Sequence, residues 1–147
     1  MKFMLPILVF FTSCMQDNLS PEAALKSFVE ARMESVVTRE FVLERVAGKM
    51  KQSLENISDE EFAKFSDLRN IKKESFKVIS KSCQEKVCFL TYSVSYRTQE
   101  NEKNKTIFLT EVKKIAELVN ENGKWMISDV SNIKTYHESL EPINPLQ

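Results

Sequence analysis

Hydrophobic spacing along this chain changes its period once, and the change falls near Asp67. Before that point apolar residues recur at helical spacing; after it they alternate with polar ones. The first pattern buries one stripe of a cylinder, and the second buries one face of a sheet. Neither layer can bury its apolar side alone. Helices first and an antiparallel meander afterwards therefore define an α+β architecture, with N-terminal helices packed on a curved sheet of about four strands. A curved sheet wrapped on helices tends to leave a cone with a cavity at its wide end.

The helical half carries its own start signals. Ser20-Pro21-Glu22 supplies a capping hydroxyl, a proline at the first helical position and an acid in the first turn. Leu25, Phe28, Val29 and Val36 follow at helical spacing. Thr38 is a cap for a second helix, predicted to continue along the stripe Val42, Val46, Met50 and Leu54 beside Phe41 and Leu43. Ser58-Asp59-Glu60-Glu61 matches a capping box and opens a short third helix carrying Phe62 and Phe65.

In the second half, Phe76, Val78 and Ile79 introduce a strand ending near Cys83. The next strand places Cys88, Leu90, Tyr92, Val94 and Tyr96 on one face, with Thr91, Ser93, Ser95 and Arg97 on the other. A polar loop over 99–105 leads to a long strand over 107–119, whose alternation is read as slipping at a bulge around Lys113-Lys114. Asn120-Glu121-Asn122-Gly123 is a turn, and Trp125-Met126-Ile127 begins a last strand that runs towards Tyr136.

The N-terminal residues address a different question. Lys2 precedes an apolar run over 3–11, followed by Thr12, Ser13 and Cys14. A helix crossing the bilayer needs roughly 20 apolar residues, so the run is too short to span and reads as a secretory signal over 1–13. Phe11-Thr12-Ser13-Cys14 resembles the lipobox of bacterial lipoproteins, with phenylalanine where leucine is usual. That resemblance implies a diacylglyceryl group on Cys14, cleavage that leaves Cys14 first, and the lipid bilayer as a partner. The expected place is the cell envelope, lipid-anchored, facing the periplasm or the cell exterior. A tether over 14–19, a domain over 20–138 and a tail over 139–147 follow. The other reading is an ordinary secreted protein in which Cys14 is incidental. Basic and acidic residues balance at 21 each, which argues against a nucleic-acid partner.

Cys83 and Cys88 bracket Gln84-Glu85-Lys86-Val87, in a segment that reads as two strands and a tight turn. Opposed hairpin residues bring Cβ atoms within disulfide reach, and an extracytoplasmic compartment allows the bond. Closing so small a loop stabilises by roughly 2 kcal/mol on the loop-entropy estimate. The alternative is a pair of reduced core cysteines. A structural zinc site wants four ligands, and the one histidine is His137, so no metal and no cofactor are expected.

The stretch Ser20-Pro21-Glu22-Ala23-Ala24-Leu25-Lys26-Ser27-Phe28 resembles the opening helix of bacterial lipoproteins with a nuclear-transport-factor-2-like (cystatin-like) domain. Asn122-Gly123-Lys124-Trp125-Met126-Ile127-Ser128-Asp129-Val130 resembles their closing hairpin. The resemblance implies a conical fold, a homodimer packed through the sheet, and a pocket that some members use for small molecules. Residues 42–65 depart from the family pattern in being more helical and more charged.

Candidate chemistry rests on few residues. Asp129 follows Trp125 and Ile127 in strand phase, so a regular strand points it inward, where an apolar cavity raises a carboxyl pKa for acid–base work. The other reading is a rim or bulge aspartate binding backbone amides. Tyr92 and Tyr96 either line a pocket or are core residues with hydroxyls at its rim. Trp125 either stacks on a ligand or packs on the first helix. His137 reads as a solvated histidine in a C-terminal tail. The sequence thus supports a non-enzymatic binding or interaction domain for a small apolar ligand or an envelope protein. The alternative is an isomerase- or hydratase-type enzyme using Asp129 with Tyr92 or Tyr96. A third reading is a structural protein with a filled core.

Overall fold

The computed structural model describes residues 20–68, 70–98 and 107–140. The leader, Cys14, the tether up to residue 19, the polar loop and residues 141–147 lie outside the described residues.

Helix α1 spans Pro21–Glu34, and the Ser20 hydroxyl accepts the Ala23 amide at 3.1 Å, as its capping signal predicts. Its buried side includes Ala24, Leu25 and Phe28. Helix α2 spans Arg39–Leu43, with Thr38 accepting the Phe41 amide. The predicted second helix does not run on from there. The chain leaves helical geometry at Arg45, and a separate helix α3 spans Gly48–Asn56. The reason is a competing partner: Ile127 donates its amide to the Arg45 carbonyl at 3.0 Å and accepts the Ala47 amide at 2.9 Å. Val46 thereby forms a parallel bridge beside Ile127, and Gly48 turns the chain back at φ +50°. Val42, Val46 and Leu54 are still buried. Burial followed the stripe, while continuity did not.

Helix α4 spans Asp59–Ser66 behind a complete capping box, in which Ser58 Oγ accepts the Glu61 amide and Glu61 Oε2 accepts the Ser58 amide. Arg39 binds the corner between α3 and α4. Its guanidinium donates to the carbonyls of Leu54, Ile57 and Ser58 and to Asp59 Oδ1, and it lies 4.6 Å from the Phe62 ring centroid.

Four strands follow: β1 Ile71–Gln84, β2 Val87–Thr98, β3 Phe108–Glu121 and β4 Lys124–Ser139. They form one antiparallel sheet in the order β1-β2-β3-β4. Cys88, Leu90, Tyr92 and Val94 of β2 point to the helices, as predicted. On β3 the buried residues are Thr110, Val112, Ala116 and Leu118, an unbroken alternation. The expected slip at Lys113-Lys114 is therefore not on β3. The β2–β3 register is continuous there, and the extra residue is Ile133 of β4, between the pairs Lys113–Lys134 and Lys114–Asn132. Lys114 consequently shares the core face with Val112 and Ala116. A second β4 bulge has Ser128 as its extra residue, between Leu118–Ile127 and Glu117–Asp129. The strand extends to Ser139, so His137 is a strand residue rather than part of a tail.

Both hairpin turns are tight. Cys83 and Cys88 are directly opposed, with Cα atoms 4.1 Å apart and sulfurs at disulfide distance. Between β3 and β4 the turn residues Asn122 and Gly123 both have positive φ, +53° and +85°, the geometry of a type I′ turn. A Cβ on Gly123 meets nothing within 4 Å. The cost of replacing it is thus backbone strain alone. Gly123→Ala is expected to lower stability by about 1 kcal/mol without altering the urea m-value, a loss read from the midpoint of equilibrium urea unfolding.

Candidate ligand-binding cavity

Because β2 and β3 present even-numbered residues to the helices, Tyr92, Val94, Tyr96, Val112 and Lys114 fall on one patch of the sheet. The C-terminal half of α1 lies over this patch with Val29, Arg32 and Met33, and Leu68 and Ile71 close its side. Between these surfaces is a cavity of about 210 Å³. Tyr92 and Lys114 are direct cross-strand partners, as are Val94 and Val112, so their side chains stand side by side on the cavity floor.

Arg32 is held firmly. Its Nη2 donates to the Phe65 carbonyl at 2.8 Å, and its guanidinium lies 3.8 Å from the Phe65 ring centroid and 5.7 Å from that of Phe28. This ties the last turn of α1 to the C-terminal end of α4, where exposed carbonyls favour a cation. Its Nε–H is buried and has no hydrogen-bond acceptor among the described residues. Burial pushes the Arg32 pKa down to about 10, against a smaller opposing effect of Tyr92. Burial likewise pushes the Tyr92 phenol up to about 12, with Arg32 opposing. Tyr92 is therefore a neutral phenol at physiological pH. Lys114 is held below the ordinary lysine range, first by burial and then by the Arg32 charge.

Several other cations on the fold have carboxylate partners. Lys73 meets Glu30 and Glu34, Lys81 meets Glu22, and Arg97 meets Glu74. Among the described residues, neither Arg32 nor Lys114 has one, and no carboxylate lines their cavity.

Asp129 does not join Tyr92 and Tyr96. The extra residue Ser128 shifts the phase of β4, so Ile127 and Val130 turn inward while Asp129 pairs with Glu117 on the opposite face. Its Oδ1 accepts the Val130 amide at 2.9 Å and its Oδ2 lies 3.5 Å from Lys49 Nζ, with the side chain 40% exposed. A regular strand would have pointed it inward; the bulge overturns that expectation. Trp125 is half-buried against the core and is not among the cavity's lining residues. His137 is exposed on β4, with Nδ1 2.9 Å from the Thr110 hydroxyl.

Arg32 and Lys114 were not singled out in the sequence, although a signal existed for both. Arg32 lies one helical turn beyond Phe28, and Lys114 is in phase with Val112 and Ala116. Among the described residues, no cluster of His, Cys, Asp and Glu could hold a metal ion, and no helix is long and apolar enough to cross a membrane.

No protein-family profile matches this sequence, and no curated protein does. A solved structure similar to it is the solution structure of a SEC-C motif containing protein from Rhodopseudomonas palustris. The likeness covers 79% of this chain and 80% of that one, with a TM-score of 0.57 and 12% identity. At that identity it is a likeness of fold.

The lowered Lys114 pKa has a consequence for stability. In the unfolded chain Lys114 binds its proton more tightly than in the folded one, so folding is disfavoured while the group is charged. That cost fades as pH rises through the folded-state value towards the unfolded one. Lys114→Met removes it. The variant is expected to melt a few degrees higher at pH 7 and to lose part of the rise in melting temperature on going to alkaline pH, as read by scanning calorimetry.

Proposed function

We propose that this chain is a lipid-anchored domain of the cell envelope that binds a small ligand non-enzymatically in the cavity between α1 and strands β2 and β3. The observation that carries the binding reading is the cavity itself: apolar walls from Val29, Met33, Val94 and Val112 surround a few convergent polar groups. Those polar groups are two cations and two phenols, with no carboxylate beside them among the described residues. The placement of Asp129 beside Lys49, away from the residues lining the cavity, supports this reading over the enzymatic alternative.

The anchor reading draws on the leader and on Cys14. The pair Cys83 and Cys88, at disulfide distance, suits the oxidising compartment to which such a leader directs a chain. In this reading the α+β layer is a nuclear-transport-factor-2-like cone, and the cavity is its interior. The ligand is then drawn from the space around the membrane to which the domain is tethered.

Two measurements test the proposal separately. Protein extracted from membranes is expected to carry a diacylglyceryl mass on its Cys14 peptide, absent in Cys14→Ser; an unmodified Cys14 peptide overturns the anchor. For binding, octan-1-ol added to the full chain in lipid nanodiscs is expected to slow hydrogen exchange around Tyr92 and Val112 and not around Gly48. Met33→Trp, which fills the cavity, is expected to abolish that protection. Exchange that is unchanged, or slowed equally everywhere, overturns the binding reading.

A further inference from the structure

Resting on the binding reading above, we infer that the cavity selects an organic anion, a carboxylate on a compact apolar body, with Arg32, Lys114 and Tyr92 holding the carboxylate.

Uncompensated charge is the first argument. Two cations share one small cavity, close enough that the Arg32 charge depresses Lys114. Like charges in a partly desolvated site are unfavourable, and removing both from water adds to the cost. At one partly buried position elsewhere on the fold a carboxylate meets that cost: the Lys73 ammonium lies 2.6 Å from Glu30. The cavity has the same kind of demand and no protein group among the described residues to answer it. An anionic ligand answers it directly.

Unused hydrogen-bonding capacity is the second argument. Nearly all buried donors in folded proteins have acceptors, so an orphan needs an explanation. The Arg32 Nε–H is such a donor. Lys114 adds an ammonium, and its cross-strand neighbour Tyr92 adds a phenol that stays protonated and can donate. A carboxylate, acceptor-only with two oxygens, matches a donor set of this kind.

The walls decide what lies behind the carboxylate. Met33, Val94 and Val112 are apolar, which suits a hydrocarbon or aryl body and not a second charged group. The cavity volume, about 210 Å³, suits a medium-length chain or a single ring system. A free inorganic anion would leave those walls unfilled, and a cationic amphiphile would add a third positive charge.

The experiment is a calorimetric titration of the full chain in lipid nanodiscs, with empty nanodiscs as reference, using four probes. They are octanoate, octan-1-ol, octylammonium and inorganic phosphate. Octanoate is expected to bind at least tenfold more tightly than octan-1-ol, with octylammonium weaker than both and phosphate without measurable binding. Lys114→Met, which is expected to fold at least as well as the parent, should erase the tenfold preference, so that octanoate and octan-1-ol bind the variant with similar affinity. Equal affinities for octanoate and octan-1-ol overturn the anion inference while the binding reading stands. A preference for octanoate that survives in both Lys114→Met and Arg32→Gln also overturns the inference. If neither octanoate nor octan-1-ol binds, the binding reading falls with it.

Discussion

Leu25 of α1, Leu90 of β2, Leu118 of β3 and Ile127 of β4 are all within about 1% of full burial. Each such side chain contributes roughly 1.5–3 kcal/mol by leaving water. Their mutual burial fixes which face of every element looks inward. The sheet has one apolar face and the helices one apolar side, so each can be satisfied only by the other. Once that contact forms, strand periodicity leaves no freedom: every second residue of β2 and β3 must enter the interface, whatever its chemistry. Lys114 enters because Val112 and Ala116 do.

Short helices need further support to lie across such a sheet, since isolated segments of five to nine residues are unstable in water. Here arginines provide it. Arg39 collects three carbonyls at the corner between α3 and α4, and Arg32 caps the end of α4 through the Phe65 carbonyl. Both stack on phenylalanine rings. Arg32 therefore has two relationships, one to the helix end it secures and one to the cavity that its guanidinium borders. The first holds the group in place, which is what a preorganised ligand contact requires.

Strand β4 shows how a single inserted residue redirects chemistry. Ser128 lets Ile127 and Val130 both reach the core although they are three residues apart, and Asp129 is carried to the outer face as a result. The same region accepts residues 45–47 as a backbone partner along its edge, interrupting what reads as one continuous helix. The two departures from local pattern thus meet at Ile127. One places an aspartate near Lys49, and the other gives part of an otherwise open strand edge its hydrogen bonds.

Local rules were enough for much of the fold. The caps at Ser20, Thr38 and Ser58, the inward face of β2, the opposed cysteines and the Asn122-Gly123 turn are each specified by neighbouring residues, because capping, alternation and turn chemistry act over a few positions. So was the order of layers, since a helical stripe and an alternating strand cannot exchange roles. The break before Gly48, the bulges at Ser128 and Ile133 and the inward Lys114 depended on partners distant in sequence. The cavity belongs with these. It exists only where α1 happens to cross β2 and β3, and its charge arises from an arginine and a lysine separated by some eighty residues that nothing but tertiary packing brings together.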